Sequence, residues 1–339
     1  GQKRKSSGKQ VLEAIVAGYE AGARIGEAIN PGSYRYWHTT GIVGSFCSAA
    51  AAGKLLELNA GQMLNCFGSA GTQSAGLWEF LSDGAMSKPL HAANATLCGI
   101  RAAELSQLGL TGATKILEGE RGLLRALTPV YDLDALTRGM DHHRYRILSN
   151  SFKPYACCRH THSADYCVRR IMDKYAIDPE KIVSILDRTY QVAKDTTDNP
   201  QPATPYACKF SLQYCIAAAF LYRSLLDDVF TPEKMENPAV LRLMRKISVQ
   251  VDPEIERAYG NERSRWPHML EITMEDGRVI CERVDYPPGD SKNPFTWKDT
   301  DEKFFQVTNG ILTEKKANAI LRRIRRLDEL EDINDLFSE

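Results

Sequence analysis

Residues 150–162 read NSFKPYACCRHTH and concentrate one lysine, two cysteines, one arginine and two histidines in a single short segment. No amphipathic period explains this segment, and Pro154 disfavours helical geometry at the residue before it. Residues 163–175 predict a helix, because apolar side chains recur at i, i+3 and i+4 from Val168. The N-terminus of such a helix offers free N–H groups and a positive dipole end to an anion. The sequence therefore predicts a cation-bearing loop that leads into a helix, with a small polycarboxylate as the hypothetical ligand.

The sequence before this loop predicts helices and no strand. Residues 7–10 fit a capping box, and helical spacing continues to residue 29, where Asn30-Pro-Gly32 predicts the end of the helix. Alanine and glycine are abundant in the segments that follow, so neighbouring helices can approach closely in a bundle. We expect residues 78–91 to form a loop. Further helices are predicted at 45–58, 60–76 and 92–108, with a short one that starts at 111 and ends in the turn at 118–122.

The sequence after the loop mixes strands with helices. Residues 181–190 and 247–251 are typical of strands. Residues 269–284 contain two alternating runs around Asp276-Gly277, which is the strongest hairpin signal in the chain. We also predict a loop at 194–203, a helix at 208–225 and further helices after 301.

These patterns predict a mixed α and β fold class, with a large all-helical domain and a smaller α+β domain. We place the helical domain at residues 1–140 and the α+β domain at 145–285. We expect residues 286–339 to pack back on the helical domain.

Composition restricts the classes of function. The chain has 339 residues, and its 43 lysines and arginines balance its 43 aspartates and glutamates. A net charge of zero argues against a nucleic-acid or membrane-surface partner, so we interpret the basic run at 322–326 as a solvated helix face. The first residues, GQKRKSS, lack the apolar core of a secretory signal. The nine scattered cysteines are typical of buried thiols in a reducing compartment, and we expect a cytoplasmic protein.

Reactive side chains concentrate at four places outside any core pattern. These are His38, Lys88 with His91, the loop at 153–162, and residues 209–214 with Tyr214. Their cations could hold carboxylates and stabilise negative charge that develops on a carbanion or enolate. A histidine can act as acid or base near neutral pH, and Tyr214 could donate a proton.

We call residues 150–162 the central loop. Two other interpretations of this loop compete with its interpretation as a cation site. Cys157, Cys158, His160 and His162 are soft ligands that suit zinc, but their spacing matches no C-x₂-C pair, and we predict no metal. Cys158 could be a thiolate nucleophile activated by a histidine, although lining a pocket is the simpler role. We find no phosphate loop, dinucleotide fingerprint or G-x-S-x-G motif, and we predict no cofactor.

Four ordered blocks resemble the MmgE/PrpD family. They are WHTTGIVG at 37–44, MSKPLHAAN at 86–94, SFKPYACCRHTH at 151–162 and KFSLQY at 209–214, and the similarity continues to PPGD at 287–290. Members of this family dehydrate, decarboxylate or epimerise small polycarboxylates such as 2-methylcitrate and cis-aconitate. The resemblance implies a helical domain with a smaller lid domain, a site between them, no metal or organic cofactor, and a homodimer.

The resemblance also implies roles for individual residues. His38, Lys88 and Tyr214 match catalytic positions, and Lys153 matches a lysine that contacts the substrate. Cys158 stands where the animal decarboxylase has a histidine, which separates this chain from the proton-transfer scheme of that enzyme. We expect Cys158, Arg159 and His162 to complete the substrate-binding set.

This sequence differs from the members of the family at its beginning. Family members carry a further stretch of chain before the point that matches Gly1, and that stretch supplies an aspartate and a histidine to the site. Two hypotheses follow. The first is a lyase, with dehydratase as the leading activity and epimerase or decarboxylase as alternatives; the second is a non-catalytic homologue that keeps the fold.

Overall fold

The computed structural model describes residues 1–140 and 144–338, which form two compact units. The first unit comprises residues 1–80, 86–150 and 308–339, and the second comprises residues 81–85 and 151–307. None of the described helices is both long enough and apolar enough to cross a membrane.

The first unit is helical. Its first helix, α1, spans Gly8–Ile29, and the predicted capping box is present, because Ser7 accepts a hydrogen bond from the Gln10 amide and the Gln10 side chain accepts one from the Ser7 amide. Four more helices follow before the central loop: α2 (Thr39–Leu55), α3 (Ala60–Gly71), α4 (Ser87–Gln107) and the short α5 (Leu123–Leu127).

In the first unit, the starts of α2 and α4 differ from the sequence prediction, and both lie beside candidate site residues. Helix α2 begins at Thr39 instead of residue 45, so His38 is its N-cap residue. Helix α4 begins at Ser87 instead of residue 92, so Lys88 lies in its first turn and not in a loop. Proline is tolerated in a first helical turn because the amide it lacks would have no partner there, which explains how Pro89 fits.

The predicted short helix from residue 111 is wrong. Residues 111–122 form turns, and the next helix is α5. Tertiary contacts override local propensity here: the Gly112 amide donates to the Asn65 side chain, and a Cβ on Gly112 would lie 2.2 Å from the Asn65 carbonyl oxygen. The chain backbone therefore passes too close to α3 to form a helix of its own.

Small residues allow α2 and α4 to pack in close contact. A Cβ on Gly99 of α4 would lie 1.8 Å from the Ser48 Oγ and 2.4 Å from the Ala49 amide nitrogen of α2. Ala49 and Ala102 are fully buried nearby. The glycine is required because the backbone of the neighbouring helix occupies the space of any side chain.

The second unit is built on a four-stranded mixed sheet in the order β2-β1-β3-β4. The central pair places Ile185 of β1 opposite Ile247 of the parallel β2 and opposite Ile272 of the antiparallel β3. The predicted hairpin is confirmed, with Gly277 in its turn at φ +82°. The strands are β1 (Ile182–Thr189), β2 (Ile247–Val251), β3 (His268–Met274) and β4 (Val279–Val284).

Helices surround this sheet and supply most of its core. Helix α6 (His162–Lys174) packs the predicted apolar face against β3 and β4, with Val168 and Ile171 fully buried. Helix α9 (Leu212–Tyr222) is buried on nearly all sides and begins four residues later than predicted, because Ser211 caps it. The others are α7 (Gln191–Thr197), which occupies part of the predicted 194–203 loop, α8 (Pro205–Cys208), α10 (Pro232–Met235), α11 (Pro238–Met244), α12 (Pro253–Asn261) and α13 (Trp297–Thr308).

The division into units differs from the predicted bounds of 1–140 and 145–285. Residues 81–85 belong to the second unit, residues 145–150 belong to the first, and the C-terminal end is divided between them. Residues 286–307 belong to the second unit, because the Phe152 amide donates to the Gly289 carbonyl at 2.8 Å and Asp290 accepts a hydrogen bond from Ser151. Residues 308–339 belong to the helical unit. They include α14 (Glu314–Ile324), and the Gly8 amide donates to the Leu330 carbonyl at 2.8 Å.

The close contact between α2 and α4 predicts that replacing glycine by alanine destabilises the protein at Gly99 but not at an uncrowded helical glycine. Gly99→Ala should lower the free energy of unfolding by about 2 kcal/mol or more, because the new methyl group overlaps the α2 backbone. Gly260→Ala in α12 is the matched control, since nothing lies within 4 Å of its Cβ position. There alanine should raise the free energy of unfolding by up to about 1 kcal/mol. Urea unfolding measures both, and equal effects would refute the close-contact explanation.

Candidate active site

His38 is held at the start of α2 by its backbone and its ring. Its amide donates to the Gly76 carbonyl at 2.9 Å, and its side chain is buried. Its Nδ1 atom lies 3.1 Å from Nδ1 of His91, and the ring of Trp78 lies 4.8 Å away between centroids. The predicted catalytic histidine therefore has a defined orientation within the helical unit.

The His38–His91 contact restricts where protons can be. Two ring nitrogens at 3.1 Å hydrogen-bond only if one carries a proton and the other does not. Burial and the positive charge of Lys88 lower the pKa of His91. A neutral His91 can fix the tautomer of His38 and exchange a proton with it.

Lys88 completes this cluster. It lies one helical turn before His91 on α4, and its Nζ atom is 5.3 Å from the ring centroid of Trp78, within cation–π range. The helical unit thus brings Lys88 and His38 to the ring of Trp78, and His91 to His38. His91 is not among the site residues that the sequence predicts. Its i, i+3 spacing from Lys88 indicates a shared helix face only when the helix starts as early as Ser87.

In the second unit, the central loop folds around one carbonyl group. Lys153 Nζ donates to the Cys157 carbonyl at 2.7 Å, and His162 Nε2 lies 3.4 Å from the same oxygen. Arg159 Nη1 lies 3.4 Å from His162 Nδ1. Three predicted substrate-binding residues therefore lie in one cluster, although each role stays a prediction.

The charge state of His162 follows from its environment. Its side chain is fully buried, and this burial, together with the nearby cations of Lys153 and Arg159, lowers its pKa. A neutral imidazole avoids the repulsion that a third positive charge would create in this cluster.

The N-terminus of α6 does not have the open form that the sequence suggested. Asp165 in its first turn is fully buried and accepts a hydrogen bond from Thr161 Oγ1 at 3.0 Å. Burial raises the pKa of this carboxyl group well above its usual value. The carboxyl group of Asp165 therefore occupies the first turn of α6, which is the position that the sequence predicts for the ligand.

Two other predicted site residues lie in the hydrophobic core. Tyr214 is fully buried, its hydroxyl donates to the Val229 carbonyl, and burial raises its pKa. Cys158 is buried, and its amide donates to the Lys209 carbonyl at 2.8 Å. The described contacts give Tyr214 a structural hydrogen bond, so its catalytic role stays a prediction.

One group in residues 1–140 and 144–338 has the spacing of metal ligands. Cys157, Asp165 and Cys215 each offer an atom within 4.8 Å of the other two, and all three are buried. This set differs from the cysteines and histidines considered in the sequence. Cys157 Sγ contacts Thr161 Oγ1 at 3.1 Å and donates to Asp165 at 3.7 Å. A hydrogen-bonded network therefore accounts for their proximity.

The helical unit also contains a cavity of about 850 Å³ along α1, lined in part by Leu12, Val16, Ile25 and Met63. None of the predicted site residues lines it, so the cavity supplies no part of the proposed chemistry.

The chain combines a helical unit that holds a histidine pair and a lysine with an α+β unit that holds a cation cluster. This combination is what its protein family must account for. Residues 1–135 match the MmgE/PrpD N-terminal domain, and residues 155–329 match the MmgE/PrpD C-terminal domain. The chain belongs to the MmgE/PrpD family, which confirms the resemblance seen in the sequence.

Known relatives cover nearly the whole chain. The cis-aconitate decarboxylase of Mus musculus is 24% identical over 98% of this chain and 68% of its own length. The cis-aconitate decarboxylase of Aspergillus terreus is 26% identical over 99% of this chain and 71% of its own length. The cis-aconitate decarboxylase-like protein oryM of Aspergillus oryzae is 24% identical over 99% and 72%.

The lowered pKa of His162 predicts how stability depends on pH. Below about pH 6.5 the unfolded chain binds a proton at this histidine and the folded chain does not, so the free energy of unfolding falls as pH falls. His162→Gln should remove up to about 1.4 kcal/mol per pH unit from that slope between pH 6.5 and 5.

Urea unfolding at a series of pH values measures this slope. Cys281→Ser is the control, because this exposed thiol of β4 does not titrate in that range and its slope should match the wild type. Parallel curves for wild type and His162→Gln would contradict the assignment of a neutral buried His162.

Proposed function

We propose that this chain is a lyase that acts on a small di- or tricarboxylate through a carbanion or enolate formed next to a carboxylate. Loss of carbon dioxide from a cis-aconitate-like tricarboxylate is the first candidate reaction. The observation that carries this proposal is the His38 imidazole, which His91 holds at 3.1 Å and which shares Trp78 with the Lys88 ammonium.

The cations would hold the substrate. Lys88, Lys153 and Arg159 each offer N–H donors of the kind that bind carboxylates. Their charge would stabilise an electron pair that develops on carbon beside a carboxylate. This role needs no redox change.

The histidine pair would move the proton. In decarboxylation, the bond between a carboxylate carbon and its neighbour breaks, carbon dioxide leaves, and the electron pair spreads onto the adjacent unsaturated carboxylate. One proton then adds to carbon, so the substrate anion and a proton give the product and carbon dioxide. His38 would deliver that proton, with His91 able to replace it through their shared hydrogen bond.

The relatives support decarboxylation as the first candidate. Several proteins named as cis-aconitate decarboxylases match 98–99% of this chain at 24–27% identity. Such identity supports the reaction class and leaves the substrate as part of the proposal.

Dehydration of a 2-methylcitrate-like hydroxy acid is the second candidate. The observation that favours it is Cys158, which stands where the resemblance places a histidine of the animal decarboxylase. Cys158 is buried, and the ordinary pKa of a thiol lies about two units above that of an imidazole, so a thiol is less suited to the same proton transfer near neutral pH. His38 would then act as the base that removes a proton next to a carboxylate, followed by loss of water. A homodimer and a cytoplasmic location remain part of the proposal.

A substrate panel tests this proposal. The purified protein is incubated with cis-aconitate, citrate and 2-methylcitrate, and the products are identified by mass spectrometry. We expect His38→Gln and Lys88→Ala to lower kcat/KM by about 10²–10⁴-fold, because each removes a proton-transfer group or a charge at the reacting carbon. Lys115→Ala, at an exposed position in the same unit, is the control and should match the wild type.

Two outcomes would contradict the proposal. Turnover that persists at the wild-type level in both variants would remove the histidine pair and Lys88 from the reaction. Binding of tricarboxylates without turnover of any of them would favour the non-catalytic hypothesis.

A further inference from the structure

The loop after β4 is closed by its own backbone and carries a buried carboxylate. The Gly289 amide donates to the Asn293 carbonyl at 2.9 Å, and the Asn293 amide donates to the Asp290 carbonyl at 3.0 Å. The Asp290 residue is 2% exposed. Its Oδ1 atom accepts the Lys292 amide at 3.1 Å, so the carboxylate is fixed from within the loop. We call residues 287–293 the PPGD loop.

The PPGD loop lies directly against the start of the central loop, residues 150–162. The Phe152 amide donates to the Gly289 carbonyl at 2.8 Å, and Ser151 Oγ donates to Asp290 Oδ2 at 3.2 Å. Gly289 has φ +82°, and a Cβ there would lie 2.2 Å from the Phe152 carbonyl oxygen. Only glycine allows this approach, so the contact between the two loops is specific.

Asp290 also holds the other end of the central loop. Its Oδ2 atom accepts Arg159 Nη2 at 3.2 Å, and the guanidinium lies 5.5 Å from the ring centroid of Trp266. The guanidinium makes a third contact through its Nη1 atom, which lies 3.4 Å from His162 Nδ1. The Arg159 side chain is only 12% exposed, so these contacts fix its direction.

One donor of Arg159 has no acceptor. Its Nε–H group is buried and lacks a hydrogen-bond partner among residues 1–140 and 144–338. A buried guanidinium donor left without an acceptor is costly, which makes it a site for a carboxylate oxygen. The Asp290 contact on Nη2 decides which edge of the guanidinium keeps this donor available.

We propose that Asp290 is a positioning residue that orients Arg159, so that the Nε edge of its guanidinium binds a carboxylate of the substrate. This deepens the proposed function, because it names the group that sets the geometry of one carboxylate subsite. Asp290 acts through Arg159 and does not touch the substrate.

Asp290→Asn tests the inference. The asparagine keeps the shape of the side chain but loses the charge that orients Arg159. We expect KM for the tricarboxylate substrate, and the Kd of the unreactive analogue tricarballylate measured by calorimetry, to rise about tenfold. The value of kcat should change by less than about threefold. Asp276→Asn is the matched control, because Asp276 pairs with Arg278 at the exposed hairpin turn and should leave both constants unchanged.

A double-mutant cycle separates positioning from a purely structural role. Arg159→Gln alone should weaken tricarballylate binding at least as much as Asp290→Asn, and the two changes together should add nothing further. Additive effects would show that Asp290 acts independently of Arg159 and would overturn the inference. If Asp290→Asn does not fold, Ser151→Ala removes the other side-chain hydrogen bond to Asp290 Oδ2 and should raise the Kd by a smaller factor.

The results distinguish this inference from the proposed function. Tricarballylate binding that depends on Asp290 and Arg159, without turnover of any substrate, would support the inference and refute the lyase. Turnover with a KM unchanged in Asp290→Asn would refute the inference and leave the lyase intact. A wild-type protein that does not bind tricarballylate would refute the inference directly.

Discussion

Buried positive charge must be paired, and this requirement shapes the second unit. Arg159 is 12% exposed and His162 is fully buried, and moving unpaired charges out of water costs several kcal/mol each. The structure meets this cost in two ways: Asp290 pairs with Arg159, and a lowered pKa keeps His162 neutral. The exposed Lys153 donates to the Cys157 carbonyl beside them. The turn at residues 153–162, the α6 start and the PPGD loop all depend on these pairings.

The helical unit holds one imidazole in place against another. His38 lies at a helix N-cap, and its ring nitrogen meets that of His91 on another helix. The close packing of α2 and α4 sets this distance, because Gly99 lets the two backbones approach. Small residues in the bundle therefore bear on the geometry of the histidine pair as well as on stability.

The largest sequence-based errors occurred where local signals and tertiary contacts disagreed. The prediction of a loop through residues 78–91 is wrong after residue 86, because proline is permitted in a first helical turn and α4 starts at Ser87. The short helix predicted from residue 111 is absent because Gly112 lies against the backbone of α3. Residues 286–307 belong to the second unit because the PPGD loop is hydrogen-bonded to Ser151 and Phe152. In the last two cases the deciding contact joins residues far apart in the chain.

By itself the sequence determined the family, the mixed fold class, the capped first helix, the hairpin at Asp276-Gly277 and the amphipathic helix α6. These features depend on local periodicity, turn chemistry and ordered blocks, all of which a sequence displays directly. Only the tertiary structure decided that His91 pairs with His38 across 53 positions, that Asp290 pairs with Arg159 across 131, and that the Tyr214 hydroxyl bonds a backbone carbonyl in the core. A hydrogen bond depends on distance and direction between two groups, and residue order alone fixes neither when the groups lie on separate elements.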